Sequence, residues 1–124
     1  MESMPTNSEL EILNVLWKRG PSSVREVHEE IQKRKPTGYT TILKLMQIMA
    51  DKGLVLRDES QRAHIYSAKP VKSDTQKSLL EDLVDRAFGG SVSRLALHAL
   101  NSRKSTPEEL AEIRTLIDEL EKES

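Results

Sequence analysis

Residues 36–68 read PTGYTTILKLMQIMADKGLVLRDESQRAHIYSA, and the order of segments inside them decides the fold. From Tyr39 to Lys52, apolar residues recur at helical spacing, with Ile42, Leu45, Met46 and Met49 on one face. Thr40, Thr41, Lys44 and Gln47 share another face. Gly53 suits the left-handed stop that ends many helices. Leu54-Val55-Leu56-Arg57 and Ala63-His64-Ile65-Tyr66 then read as short strands around the polar turn Asp58-Glu59-Ser60-Gln61-Arg62. An amphipathic helix, a glycine stop and a β-hairpin in that order predict a winged helix-turn-helix.

Upstream, a first helix is predicted from about Ser8 to Arg19, with Ser8 as N-cap and Glu9 and Glu11 at its positive start. Leu10, Leu13, Val15, Leu16 and Trp17 supply its buried stripe, and Gly20-Pro21 stops it. A second helix is capped by Ser22 or Ser23, with Glu26 completing a capping box from Ser23. Val24, Val27 and Ile31 form its apolar face. It ends in Lys33-Arg34-Lys35, favourable at a negative helix end, and Pro36 closes it.

Downstream, Lys69-Pro70 breaks the pattern and marks an expected boundary between a domain at 1–70 and one at 71–124. Three helical stretches follow. One runs from about Ser73 to Phe88 and ends at Gly89-Gly90, and the next from Ser91 to Leu100. The last opens at a Thr106 cap with Pro107 at the first helical position and Glu109 at the third. Short helices with strong apolar stripes cannot bury them within about 50 residues. Packing against a second copy is therefore the expected solution, with Leu79, Leu80, Leu83, Val84, Phe88, Leu95, Leu110, Ile113, Ile117 and Leu120 as the interface residues. Folding back on the N-terminal domain is the alternative. The fold class is mainly α with a small β-hairpin: a winged helix-turn-helix domain followed by a three-helix dimerisation domain.

Charge distribution says more than net charge. The chain carries −1 overall, yet from Lys33 to Lys72 nine basic residues face three acidic ones, a net of +6. A basic segment in an acidic protein can neutralise phosphates locally. Residues 71–124 hold eight basic against eleven acidic residues, which favours a protein partner there. There is no cysteine, so disulfides, thiolate metal sites and cysteine nucleophiles are excluded, and no cofactor is expected. The opening MESMPTNSEL lacks the basic and apolar regions of a secretory leader, and no apolar run approaches a membrane span. The expected compartment is the cytoplasm, without membrane insertion.

In a helix-turn-helix the second helix of the pair enters the major groove and reads base edges from its N-terminal residues. Here that helix starts at Tyr39-Thr40-Thr41. Threonine offers a hydroxyl and a methyl group, Lys44 can donate to guanine or phosphate, and Gln47 can pair with adenine. Ser22 and Ser23 offer hydroxyl and backbone N–H groups to a phosphate. Arg34 and Lys35 add charge, and Arg62 sits at the wing tip. Each has a plainer role available: Thr40 and Thr41 as helix caps, Lys44 and Gln47 as solvated positions, Tyr39 packed on the domain edge.

Across nearly its whole length the chain resembles the penicillinase-repressor family of BlaI and MecI type, to which copper-responsive repressors are related. The resemblance rests on Glu9-x-x-Ile12-x-x-x-Leu16-Trp17, Tyr39-Thr40-Thr41-Ile42, Leu45-Met46, Lys52-Gly53-Leu54-Val55, Arg62-Ala63-His64-Ile65-Tyr66, Phe88-Gly89-Gly90 and Pro107-Glu108-Glu109-Leu110. It implies a homodimeric transcriptional repressor that binds an inverted-repeat operator in double-stranded DNA. Antibiotic-resistance regulation and relief through proteolysis triggered by a membrane sensor protease are further implications. Three departures stand out. The cysteine pairs of the copper-responsive branch are absent, His98-Ala99 lies where an Asn-Phe cleavage bond is found, and Ile48 lies where arginine is common. A winged helix that binds protein instead of DNA is the alternative function. An enzyme is not expected, because His28, His64 and His98 form no catalytic or metal-ligand pattern and no Gly-rich phosphate loop is present.

Overall fold

A computed structural model describes residues 4–124; the first three, part of the stretch read for a leader, lie outside it. The element order is α1 (Asn7–Arg19), β1 (Ser22–Ser23), α2 (Val24–Gln32), α3 (Tyr39–Lys52), β2 (Val55–Asp58), β3 (Ile65–Ala68), α4 (Lys72–Ala87), α5 (Val92–Ser102) and α6 (Pro107–Glu123). The mainly helical class with a wing is as expected.

Local chemistry sets the helix starts. Thr6, not Ser8, caps α1: its hydroxyl accepts from the Glu9 N–H at 3.2 Å, and the Glu9 carboxylate accepts from the Thr6 N–H at 2.9 Å. Ser8 with Glu11 offers the same spacing, but a tertiary contact favours the earlier pair. Glu9 is buried, and the Lys52 ammonium donates to both its oxygens at 2.8 and 3.0 Å. Burial pushes the Glu9 pKa up, yet the hydrogen bonds from Lys52 and Thr6 outweigh it and hold the carboxyl below its ordinary value. Ser23 and Glu26 form the box that caps α2, and Thr106 and Glu109 the one that caps α6. Gly53 ends α3 at φ 79°, and the Leu54 N–H closes back on the Met49 carbonyl at 2.9 Å.

The sheet is antiparallel with order β1-β3-β2, one strand more than the hairpin expected. Ser22 pairs with Tyr66 and Ser23 with Ile65, while Val55 to Asp58 pair with Ala68 to Ile65. The wing strands sit one or two residues later than their apolar patterns suggested. Register explains the shift: Val55 and Tyr66 must both face the helices, and the pairing of Arg57 with Tyr66 brings this about.

The chain divides into two compact units, the first ending at Leu79 and the second spanning Leu80–Ser124, so the division falls within α4. The expected boundary at Pro70 marks the end of the sheet; the first unit continues past it because Thr75 is buried and the Trp17 indole donates to the Pro70 carbonyl at 3.0 Å. The core of the first unit is one cluster built from Ile12, Leu13 and Leu16 of α1, Val27 and Ile31 of α2, Ile42, Met46 and Met49 of α3, and Val55 and Tyr66 of the wing. In the second unit, Gly89 and Gly90 adopt positive φ after α4, and Ser91 caps α5 by accepting from the Arg94 N–H at 3.2 Å. Neither α5 nor α6 contains a buried residue.

Candidate nucleic-acid interface

Helix α3 turns Ile42, Met46 and Met49 into the core and leaves Thr40, Thr41, Lys44 and Gln47 exposed. Its N-cap is Gly38, which has no side chain to cap with, and no side-chain cap hydrogen bond is made. Thr40 and Thr41 are therefore not spent on capping. The opening N–H groups of α3 and two threonine hydroxyls are presented together at its positive end, an arrangement suited to an anion. Lys44 lies one turn beyond Thr40 and Thr41, and Gln47 a further turn on.

Tyr39 is 47% exposed, and its ring meets the His28 ring edge-on with centroids 5.7 Å apart. It therefore has one packed side and one open side. Ile48 lies beside Gln47 on the outward surface and is exposed. Arg34 and Arg62 are exposed and, among the described residues, neither makes an ion pair, nor does Lys44. Lys35 is partly committed, since its ammonium stands 3.5 Å from the Glu11 carboxylate. That pair is exposed and weak enough to be exchanged for a phosphate.

Ser22 does not belong in this surface. It is buried in β1, and its hydroxyl donates to the Gly20 carbonyl at 2.9 Å. Pairing with Tyr66 turns the side chain inward, which a helix-start reading of Ser22 did not anticipate. Ser23 is half-buried, its hydroxyl accepts from the Glu26 N–H and its own N–H is taken by the Glu26 carboxylate. The Ser23 bonds hold Glu26 below its ordinary pKa, with Arg19 adding charge. The start of α2 thus carries an anion of its own close to the expected phosphate donors.

The wing holds a basic residue beyond Arg62. Arg57 pairs with Glu59 at 2.8 Å, and hydrogen bonding with Tyr66, followed by the Glu59 charge, raises its pKa further above its already high value. The turn itself is shaped by the Ser60 N–H donating to the Asp58 carboxylate at 2.9 Å. Asp followed by Ser two residues on is the sequence signal for that turn.

Of the apolar residues expected to associate, Val84 is buried, Leu79, Phe88, Leu95 and Ile113 are half-buried, and Leu80, Leu83, Leu110, Ile117 and Leu120 are exposed. Leu97, at 62% exposure, and Leu116, at 54%, join them although they were not in the expected set. Leu97 falls two residues from Leu95, off a single helical stripe, so spacing alone does not select it.

Three helices, a three-stranded antiparallel sheet and an outward-facing second helix of the pair define the first unit as a winged helix-turn-helix. The family model for the penicillinase repressor matches residues 5–119, and the chain belongs to that family, which consists of transcriptional repressors and not enzymes. It is 24% identical over 115 residues to a penicillinase repressor of Staphylococcus aureus, covering 93% of this chain and 91% of the relative. It is 32% identical over 87 residues to the transcriptional regulator BlaI of Mycobacterium tuberculosis, covering 69% of this chain and 63% of that protein. The methicillin resistance regulatory protein MecI of Staphylococcus aureus is 22% identical over 113 residues, which span 91% of this chain and 92% of MecI. Among solved structures, the DNA-binding domain of the repressor BlaI superposes with a TM-score of 0.52 at 26% identity, covering 60% of this chain and 93% of that domain.

Proposed function

We propose that this chain is a sequence-specific DNA-binding repressor that holds an inverted-repeat operator as a homodimer. One observation carries the reading. The uncapped start of α3, with Thr40 and Thr41 free, lies on the same exposed surface of that helix as Lys44 and Gln47. Tyr39, Thr40, Thr41, Lys44 and Gln47 read the groove, Arg34 and Lys35 sit toward the backbone on one side, and Arg62 reaches it from the wing. The likeness to a BlaI DNA-binding domain, at 26% identity over 60% of this chain, supports this assignment.

The homodimer rests on the second unit. Leu97, Leu116, Ile117 and Leu120 are exposed on helices that bury nothing by themselves. A second copy of the same surface covers them symmetrically and places two reading helices on one operator. Half-site centres then fall about one helical turn of DNA, or a small multiple, apart. The reading extends by family likeness to a cytoplasmic location and to relief by a membrane sensor protease, which co-expression with such a sensor and immunoblotting for fragments checks. No helix among the described residues is long and apolar enough to cross a membrane.

The test is selection of duplexes from a random pool by the full chain, followed by titration across salt. The expected result is an inverted repeat whose affinity falls steeply with salt, because several phosphates are neutralised. Recovery of unrelated sequences without symmetry, or binding indifferent to salt, overturns the proposal in favour of a protein-binding winged helix.

A further inference from the structure

Helices α1, α2 and α6 each begin with a capping box, whereas α3 begins at a glycine that caps nothing. Something else must fix where the reading helix starts. The loop before it supplies the answer at Thr37. The Thr37 N–H donates to the Gln32 side-chain oxygen at 2.8 Å, and the Thr37 carbonyl lies 2.6 Å from His28 Nε2. A carbonyl can only accept, so Nε2 carries the proton and donates. His28 and Gln32 are four residues apart on α2, hence on one face. They grip the N–H and the C=O of a single residue. The Thr37 hydroxyl donates to the Lys35 carbonyl at 3.0 Å, which stiffens the same loop. Gly38 follows directly, its carbonyl accepting from the Ile42 N–H at 3.3 Å, and the edge-on contact of His28 with Tyr39 continues the restraint into the first residue of α3.

We infer that His28 and Gln32 are positioning residues for DNA recognition: they clamp Thr37 and so set the placement of Tyr39, Thr40 and Thr41 for the groove. This rests on the DNA-binding reading above. Neither side chain needs to touch DNA, and any residue other than proline at position 37 keeps the clamped groups, since both are backbone. The clamp holds the loop in the binding-competent state before DNA arrives, so without it the affinity falls by the fraction of time the loop is correctly placed.

The experiment uses the full chain, the duplex selected by the wild type and a scrambled duplex of equal length. His28→Ala and Gln32→Ala are each expected to lower affinity for the selected duplex by about 5- to 10-fold, the scale of one net hydrogen bond. Affinity for the scrambled duplex and the slope against salt stay as in the wild type. His28→Gln, which returns a donor, restores most of the loss. The double variant loses less than the product of the single losses, because both bonds hold one residue. In the DNA-free protein, hydrogen exchange at residues 37–42 speeds up in both alanine variants and returns toward wild type in His28→Gln. Unchanged exchange there overturns the clamp whatever the DNA result. So does an equal loss on selected and scrambled duplexes, or a loss that merely follows the folded fraction. If exchange responds as expected while the wild type shows no preference among duplexes, the DNA-binding reading falls and with it the assignment of these residues to recognition.

Discussion

The two units of this chain use the same kind of amphipathic helix to opposite ends. In the first, α1, α2 and α3 turn Ile12, Leu13, Val27, Ile42 and Met46 onto one another and onto Tyr66 of the wing, leaving these side chains essentially without solvent contact. In the second, α5 and α6 carry stripes of comparable strength and bury no residue. An apolar stripe records that a helix needs a partner without recording whether the partner is in the same chain. The first unit has closed its core. The second leaves its stripes open, and in the proposed dimer they close against a second copy.

Cutting the chain breaks the comparison most directly. A fragment ending at Leu79 should remain folded and monomeric, because its core lies wholly within it. Its affinity for an inverted repeat should fall by about 10²- to 10⁴-fold, the usual scale for loss of bivalence. Sedimentation and titration on the operator check both halves; undiminished affinity would remove the case for a dimer. Next in size is a pair of substitutions. Leu13→Ala should cost about 2–5 kcal/mol in denaturant unfolding at any protein concentration, as for other buried leucines. Leu116→Lys should instead shift sedimentation toward monomer and abolish the concentration dependence of the melting temperature. Similar behaviour of the two variants would mean that the units do not differ as argued.

Lys44→Ala sharpens the reading of α3. It should weaken operator binding by about 1–3 kcal/mol and relax preference at one base position, measured on a panel of single-base variants. A uniform loss across the panel would reassign Lys44 to phosphate. The smallest effect concerns Glu9. Its pKa is lowered in the folded protein, so it contributes stability above the ordinary carboxylate range and loses it as pH falls through the lowered folded value. Urea unfolding of the wild type and Glu9→Gln should therefore converge below about pH 4 and diverge at neutral pH. A constant gap across that range would mean that Glu9 is held by packing instead of by Lys52.

Much of the secondary structure was legible because its signals are local. Gly53 after a periodic stretch, Ser23 with Glu26 and Thr106 with Glu109 each define a helix end through contacts within four residues. Where two local solutions were equally good, sequence reading chose wrongly: Ser8 and Thr6 both precede a glutamate by three, and the Lys52 ammonium, 43 residues away, favours Thr6. Strand β1 was missed because Ser22-Ser23 shows no alternation; it exists only because β3 has a free edge beside it. That same pairing buries Ser22 and removes it from the candidate interface. The clamp on Thr37 was equally invisible, since it depends on the path of a loop that propensity does not specify.

By itself the sequence determined the kind and order of the elements, the outward composition of α3 and the apolar stripes of the tail, because periodicity, glycine stops and capping boxes act over one or two turns of chain. Only the tertiary structure decided which cap formed, which serine faced inward, how the wing strands registered and what holds the start of α3. Those choices are made by contacts between different segments, five residues apart for Gln32 and Thr37 and 43 apart for Glu9 and Lys52. Their energies depend on burial and partner geometry, and neither is encoded at the residue where the consequence appears.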